Sequence, residues 1–307
     1  MTPRFRFDGI YTPVVTPYAE DYSVRWEALE QVIEWLIEHG VHGLISGGST
    51  GENYAQTVEE RVEIARFTAE RVKGRVPVVI GTGAMLTADS VALASAAREM
   101  GADAILLASP PYSVPTDREN ALNALTIDKA ADLPIMLYNY PHRTGTMMGE
   151  AFLDRVGRSR NFCGIKESSG DINRVHLLAR DYPHIQLGCG MDDQALEFFA
   201  WGAPFWVCGG SNFLPAEHVA LYEACVVEGD FAKGRRIMSA MMPLRGVGKR
   251  GGKFTQTIKP GGQRGGIDSW VGPPPLKALN KDDKRALEQV VRVLTKTIAD
   301  IRAEGTV

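Results

Sequence analysis

Eight short apolar runs, each followed by a longer segment that suits a helix, constrain this chain more than any other feature. The runs are Ile10–Val15, Val41–Ser46, Val76–Gly81, Ala104–Ala108, Pro134–Asn139, Phe162–Lys166, Ile185–Gly188 and Phe205–Gly209. The helical segments are Arg25–His39, Thr57–Lys73, Ala88–Met100, Asp117–Ala131, Gly149–Val156, Asp171–Asp181, Gln194–Trp201 and Pro215–Glu228. This alternation implies parallel strands joined by right-handed crossovers. Eight units in this order predict an α/β chain closed into a (β/α)8 barrel. An open doubly wound sheet would carry a glycine-rich phosphate loop after its first strand. Here that place reads Thr12-Pro13-Val14-Val15-Thr16-Pro17.

The beat stops near Phe231, which predicts a catalytic barrel over residues 1–230 and a C-terminal helical region over 231–307. Phe231–Met242 and Lys281–Arg302 read as helices, the second with Leu287, Val290, Val291, Leu294 and Ile298 on one stripe. Between them, Gly246–Gly272 holds nine glycines in 27 residues and is expected to be irregular.

Composition narrows the function classes. A net charge of −3 offers no basic field for nucleic acid or an anionic membrane. No apolar run approaches the ~20 residues of a transmembrane helix, and the opening Met1-Thr2-Pro3-Arg4-Phe5-Arg6-Phe7 lacks the apolar core of a signal peptide. Cys163, Cys189, Cys208 and Cys225 form no C-x-x-C pair and read as reduced thiols of a cytoplasmic protein.

A barrel of this kind builds its active site at the C-terminal ends of its strands. Those ends supply Gly47–Glu52, Gly81–Gly83, Ser109–Tyr112, Tyr138-Asn139, Lys166–Ser169 and Gly209–Ser211. One lysine stands among many hydroxyls. At an apolar barrel mouth Lys166 is desolvated, which frees its amine to form a Schiff base with a carbonyl substrate. The alternative is a lysine that snorkels outward and pairs with Glu167. Gly48, Ser49 and Thr50 can present backbone N–H groups and hydroxyls to a carboxylate, or merely cap the next helix. Tyr138 can relay protons beside a Schiff base, or be a core tyrosine with a satisfied hydroxyl. Tyr112 sits in a Pro-Pro-Tyr loop, and Arg143 can clamp a carboxylate or lie solvated. Cys208, in the eighth run, joins the substrate-binding candidates. The strand ends lack the His and Asp clusters of a metal site, so no metal is expected. Gly209-Gly210-Ser211 leaves a phosphate-gripping loop as a weaker alternative.

Taken together, Gly48-Ser49-Thr50-Gly51-Glu52, Tyr138-Asn139-Tyr140-Pro141 and Gly164-Ile165-Lys166-Glu167-Ser168-Ser169-Gly170 resemble the dihydrodipicolinate synthase / N-acetylneuraminate lyase family. The resemblance covers about Asp8 to Glu228 and resumes near Gly252–Lys259 and Gly272–Leu279. It implies that Lys166 attacks the 2-keto carbon of pyruvate or a similar acid, with no metal or organic cofactor. It further implies that Ser49 and Thr50 hold the carboxylate, that Tyr138 shuttles protons, and that Tyr112 reaches into a neighbouring copy's site. A homo-oligomer, a dimer or tetramer, follows from that last role.

Substrate signals divide. Ser49 is closer to the neuraminate lyase pattern, whereas Arg143 resembles the synthase branch, where such an arginine binds the second substrate. Val58, Arg61, Met85 and Pro111 replace residues that bind feedback-inhibiting lysine in the synthase, which argues against that regulation. Aldolase or dehydratase action on 2-keto-3-deoxy sugar acids, hydroxypyrroline-carboxylate deamination, and a keto-acid-binding barrel without turnover stay open.

Overall fold

In the computed structural model, which describes residues 4–249, 254–259 and 272–304, eight parallel strands close in sequence order into a barrel. They are β1 (Gly9–Pro13), β2 (Gly43–Ser46), β3 (Val78–Gly81), β4 (Ala104–Ala108), β5 (Ile135–Asn139), β6 (Phe162–Glu167), β7 (Gln186–Cys189) and β8 (Phe205–Val207). Closure comes from β1 pairing with β8 through Gly9↔Phe205, Ile10↔Trp206 and Tyr11↔Val207. The (β/α)8 expectation is met.

Strand alternation sorts the side chains into two apolar layers. Phe7, Tyr11, Ile45, Val79, Leu106, Met136 and Phe205 fill the barrel interior. Ile10, Leu44, Ile80, Ile105, Leu137, Ile165 and Trp206 face outward into the layer shared with the helices.

The surrounding helices are α1 (Trp26–Glu38), α2 (Val58–Val72), α3 (Thr87–Glu99), α4 (Asp117–Ala131), α5 (Pro141–Thr144), α6 (Glu150–Val156), α7 (Ile172–Asp181), α8 (Ala195–Ala200) and α9 (Pro215–Tyr222). α1 buries Ala28, Leu29, Val32, Ile33 and Leu36, the spacing of one helical face. α2 opens with the capping box that Thr57-Val58-Glu59-Glu60 predicts. Thr57 Oγ1 accepts from Glu60 N at 3.2 Å, and Glu60 Oε2 accepts from Thr57 N at 2.7 Å.

Beyond α9 the chain forms a π-turn (Glu223–Val227), then α10 (Phe231–Lys249), α11 (Phe254–Ile258) and α12 (Lys281–Glu304). The buried stripe Leu287, Val291, Leu294, Ile298 and Ile301 on α12 belongs to the same apolar layer as the barrel helices. The expectation of an irregular Gly246–Gly272 needs correction where the chain is described. Residues 246–249 continue α10 past Pro243, and residues 254–258 form α11. The helical stretch Phe254-Thr255-Gln256-Thr257-Ile258 contains no glycine, and Gln256, Thr257 and Ile258 are buried. Local composition and tertiary burial therefore outweigh the glycine average of the whole segment. Residues 250–253 and 260–271 lie outside the described residues.

Candidate active site

Lys166 stands near the C-terminal end of β6, where its register partners are Tyr138 on β5 and Gly188 on β7. It is 7% exposed, and its Nζ lies 3.9 Å from the centre of the Tyr138 ring. Burial lowers its pKa to about 8, against the opposing pull of Asp192. Glu167, one residue on, points to the other face of the strand. There it accepts from Asn139 Nδ2 at 2.8 and 3.0 Å and from Ser169 N at 2.7 Å, and it pairs with Arg174 at 3.5 Å. The Lys166–Glu167 pairing is thus not formed, and the lysine faces the mouth.

Gly190, which follows β7, makes room for this lysine. A Cβ there would stand 1.9 Å from Ser168 Oγ, 2.8 Å from Lys166 Cγ and 2.9 Å from the Glu167 carbonyl oxygen. Burial pushes the Tyr138 phenol up to about 12, while a hydrogen bond with Ser49 and the nearby Arg143 act in the opposite sense. Lys166, Tyr138 and Ser49 therefore meet at one point.

The turn after β2 is built on a close backbone approach. Gly47 has φ +74°, and a Cβ on Gly81 would meet the Gly47 carbonyl oxygen at 2.3 Å. Ser49–Gly51 then forms one 3-10 turn, with Ser49 exposed and Thr50 buried. Supports brace it from behind. Thr16 Oγ1 and Gln56 Nε2 donate to the Gly51 carbonyl at 2.7 and 2.9 Å, and Asn53 Nδ2 donates to the Gly47 carbonyl at 2.9 Å.

The remaining candidates divide. Arg143, exposed on α5, acts electrostatically on both Tyr138 and Tyr54 and so stands at the rim. Tyr112 is 90% exposed with φ +69°. Cys208, just past β8, lies close enough to act electrostatically on Lys166. Its thiol is 0% exposed within the outer apolar layer, and its carbonyl already accepts from Ser211 Oγ at 2.6 Å. The Gly209–Ser211 loop is similarly committed. Ser211 is buried and shares a 2.7 Å hydrogen bond with Thr12, while Asn212 Nδ2 donates to the Pro13 carbonyl at 2.9 Å. Those groups tie β8 to β1.

Asp192 stands three residues past β7, beyond the strand terminus where the barrel rule places site residues. Trp206 Nε1 holds its Oδ1 at 3.1 Å, and its charge reaches Lys166, Tyr138 and His218. The Asp192-Asp193 doublet after the seventh run was its one visible signal. Asp193 pairs with Arg245 of α10. Arg61, on α2, is buried and donates to the Gly81 carbonyl at 2.8 Å, so it serves the barrel rather than a ligand.

A buried lysine amine under a phenol, at the mouth of a (β/α)8 barrel, defines the class of Schiff-base-forming lyases. The Dihydrodipicolinate synthetase family matches residues 6–294, and the chain belongs to that family. It is 33% identical over 300 residues to 4-hydroxy-tetrahydrodipicolinate synthase of Thermoanaerobacter sp. (strain X514), covering 96% of this chain and 97% of that protein. Among solved structures, the same-named enzyme of Methylacidiphilum fumariolicum SolV superposes with a TM-score of 0.91 at 28% identity, over 97% of this chain and 99% of that one. A prophage protein of this family from E. coli K12, solved in complex with pyruvate, gives 0.89 at 28% identity, over 94% of this chain and 99% of that one.

Proposed function

We propose that this chain forms a Schiff base between Lys166 and pyruvate or a related 2-keto acid and then makes or breaks a bond at the adjacent carbon, in the manner of 4-hydroxy-tetrahydrodipicolinate synthase. The observation that carries the reading is the buried Lys166 amine 3.9 Å from the Tyr138 ring. The free amine adds to the 2-keto carbon and gives a carbinolamine. Tyr138 donates its proton to the departing hydroxyl, which leaves as water, and the iminium remains. The phenolate left on Tyr138 is costly in a buried site, but the new cation beside it offsets that cost. It then takes a proton from C3, and the enamine so formed is the carbon nucleophile.

Ser49 and Thr50 open a 3-10 turn, so their N–H groups have no carbonyl within it to bond. We assign them the acid's carboxylate, with Gly48 as the backbone pivot. Arg143 at the rim suits a second substrate bearing a carboxylate, which favours aspartate semialdehyde over neuraminate as the partner. Tyr112 suits a proton relay in a neighbouring copy, so the working form is a homo-oligomer, dimer or tetramer. We place the protein in the cytoplasm, where its four free, buried cysteines stay reduced.

Borohydride reduction in the presence of pyruvate tests the core of this reading. Mass spectrometry should find one covalent adduct, on Lys166. An unmodified Lys166 across a panel of 2-keto acids would sink it, and trapping without turnover of any aldehyde would leave a binding barrel.

A further inference from the structure

Glu52 and Lys259 form an ion pair buried between the barrel mouth and the C-terminal segment, each side chain 1% exposed. Lys259 follows directly on α11, and its Nζ also lies 4.6 Å from the Tyr18 ring centre. The other carboxylate oxygen of Glu52 accepts from Gly272 N at 3.2 Å. One carboxylate thus gathers two points of a segment more than 200 residues away in sequence.

Glu52 is also the residue that ends the Ser49–Gly51 turn, with φ +62°, a backbone conformation that a glutamate rarely adopts. Tyr18 accepts from Gln56 Nε2 at 2.8 Å, and the same nitrogen supports the Gly51 carbonyl at 2.9 Å. The turn is therefore gripped on its far side by the pair and its neighbours, while its near side meets Tyr138 through Ser49. α11 bridges the loops that follow β8 and β2. Phe254 and Ile258 rest on Gly209, where a Cβ would stand 2.7 Å from the Phe254 ring and 3.2 Å from Ile258 Cδ1. Thr255 hydrogen-bonds the Tyr54 phenol.

A buried ion pair is weak as a source of net stability, because desolvating both charges offsets most of their attraction. What it provides here is a fixed geometry. We propose that Glu52 and Lys259 are positioning residues that latch α11 to the back of the Ser49-Thr50 turn, so that carboxylate binding depends on the C-terminal segment. This rests on the keto-acid reading above for its ligand, but not for the contact itself.

The test compares Lys259→Met, Lys259→Arg and Gly272→Ala in the full chain. The last variant brings a Cβ within 2.5 Å of Glu52 Oε1 without touching the lysine. A pair that serves binding alone raises the half-saturating pyruvate concentration for borohydride trapping about tenfold in Lys259→Met and Gly272→Ala, with trapping at saturation retained. Lys259→Arg restores most of the affinity. Hydrogen exchange across residues 48–56 rises in the first two variants and not in the third. Unchanged half-saturation overturns the latch, as does trapping lost even at saturating pyruvate. If Lys259→Met does not fold, Gly272→Ala decides by the same criteria. If wild-type protein is trapped neither by pyruvate nor by any other 2-keto acid of the panel, the keto-acid reading fails instead, and unaltered exchange across residues 48–56 would then overturn the latch separately.

Discussion

Lys166 and Tyr138 are register partners on adjacent strands, and the amine of one lies 3.9 Å from the ring centre of the other. Their separation is therefore set by the ladder between β5 and β6 rather than by any loop. The proton exchange proposed for these two groups gains from such rigidity, since small misplacements of reacting groups cost rate steeply.

The amine's depressed pKa of about 8 predicts the pH profile. Below it Lys166 is protonated and cannot add to a carbonyl, so at pH 7 only about a tenth of the molecules carry the free amine. Activity, as kcat/KM, should rise about tenfold per unit as pH increases toward 8 and then flatten. A profile still climbing steeply at pH 10 would mean the lysine is not desolvated in the working enzyme.

Stability should move the opposite way when that lysine is removed. Between pH 8 and the ordinary lysine value of 10.5, the unfolded chain binds a proton that the folded chain lacks. Stability therefore increases with pH across that window, and the penalty of burying the amine is fully present below it. Lys166→Met removes the penalty. It should abolish trapping, lower kcat by about 10³-fold or more, and leave the melting temperature at pH 7 equal or higher. A sharp fall in melting temperature would assign Lys166 a structural part instead.

Gly190→Ala should act on the same lysine from β7. The added methyl meets the Glu167 carbonyl oxygen, which is backbone and cannot swing aside, as well as Lys166 Cγ. Displacing the amine should reduce kcat/KM by about 100-fold. Steady-state kinetics together with a crystal structure of the variant would check both parts, and near-normal turnover would refute the crowding argument.

Glu167 anchors the outer side of β6. Glu167→Gln leaves the buried Arg174 without its counter-charge and sets an amide nitrogen against Asn139, so a loss of about 3–5 kcal/mol is expected. Urea melts measure it directly. An unchanged midpoint would show that water or a rearranged Arg174 satisfies the site.

Mixed oligomers test Tyr112. Lys166→Ala and Tyr112→Ala should each be poor alone, yet co-expression should restore substantial activity. In a hybrid, the intact lysine of one chain meets the intact tyrosine of the other. Failure to recover activity in isolated hybrids would confine Tyr112 to its own subunit.

Much of the site was legible because its parts sit at strand ends, where period-two patterning locates them. Lys166, Tyr138 and Ser49 fall within short stretches whose place in the barrel follows from counting runs. The helix start at Thr57 was equally readable, since a capping box is a local device. What remained hidden is tertiary. Nothing near Lys259 in sequence announces that it will meet Glu52, and the open space demanded at Gly190 belongs to Lys166 and Ser168. α11 was obscured by averaging glycine over a stretch that contains a glycine-free pentapeptide. For Cys208 the sequence leaves the direction open, since a position beside a strand end does not say which face the side chain takes until the register is known.

The placement of Arg143 on the four-residue helix α5, outside the hydrogen-bonded barrel, has an evolutionary corollary. In the proposed scheme, bond-forming chemistry and choice of second reactant reside on parts of different mutability. Strands pinned by two neighbours tolerate little change, whereas a short surface helix can be replaced or lengthened without disturbing the ladder. Descendants of such a chain can exchange one aldehyde partner for another while inheriting the imine apparatus intact. Screening α5 and its flanks, rather than the strand ends, is accordingly where altered selectivity should first be found.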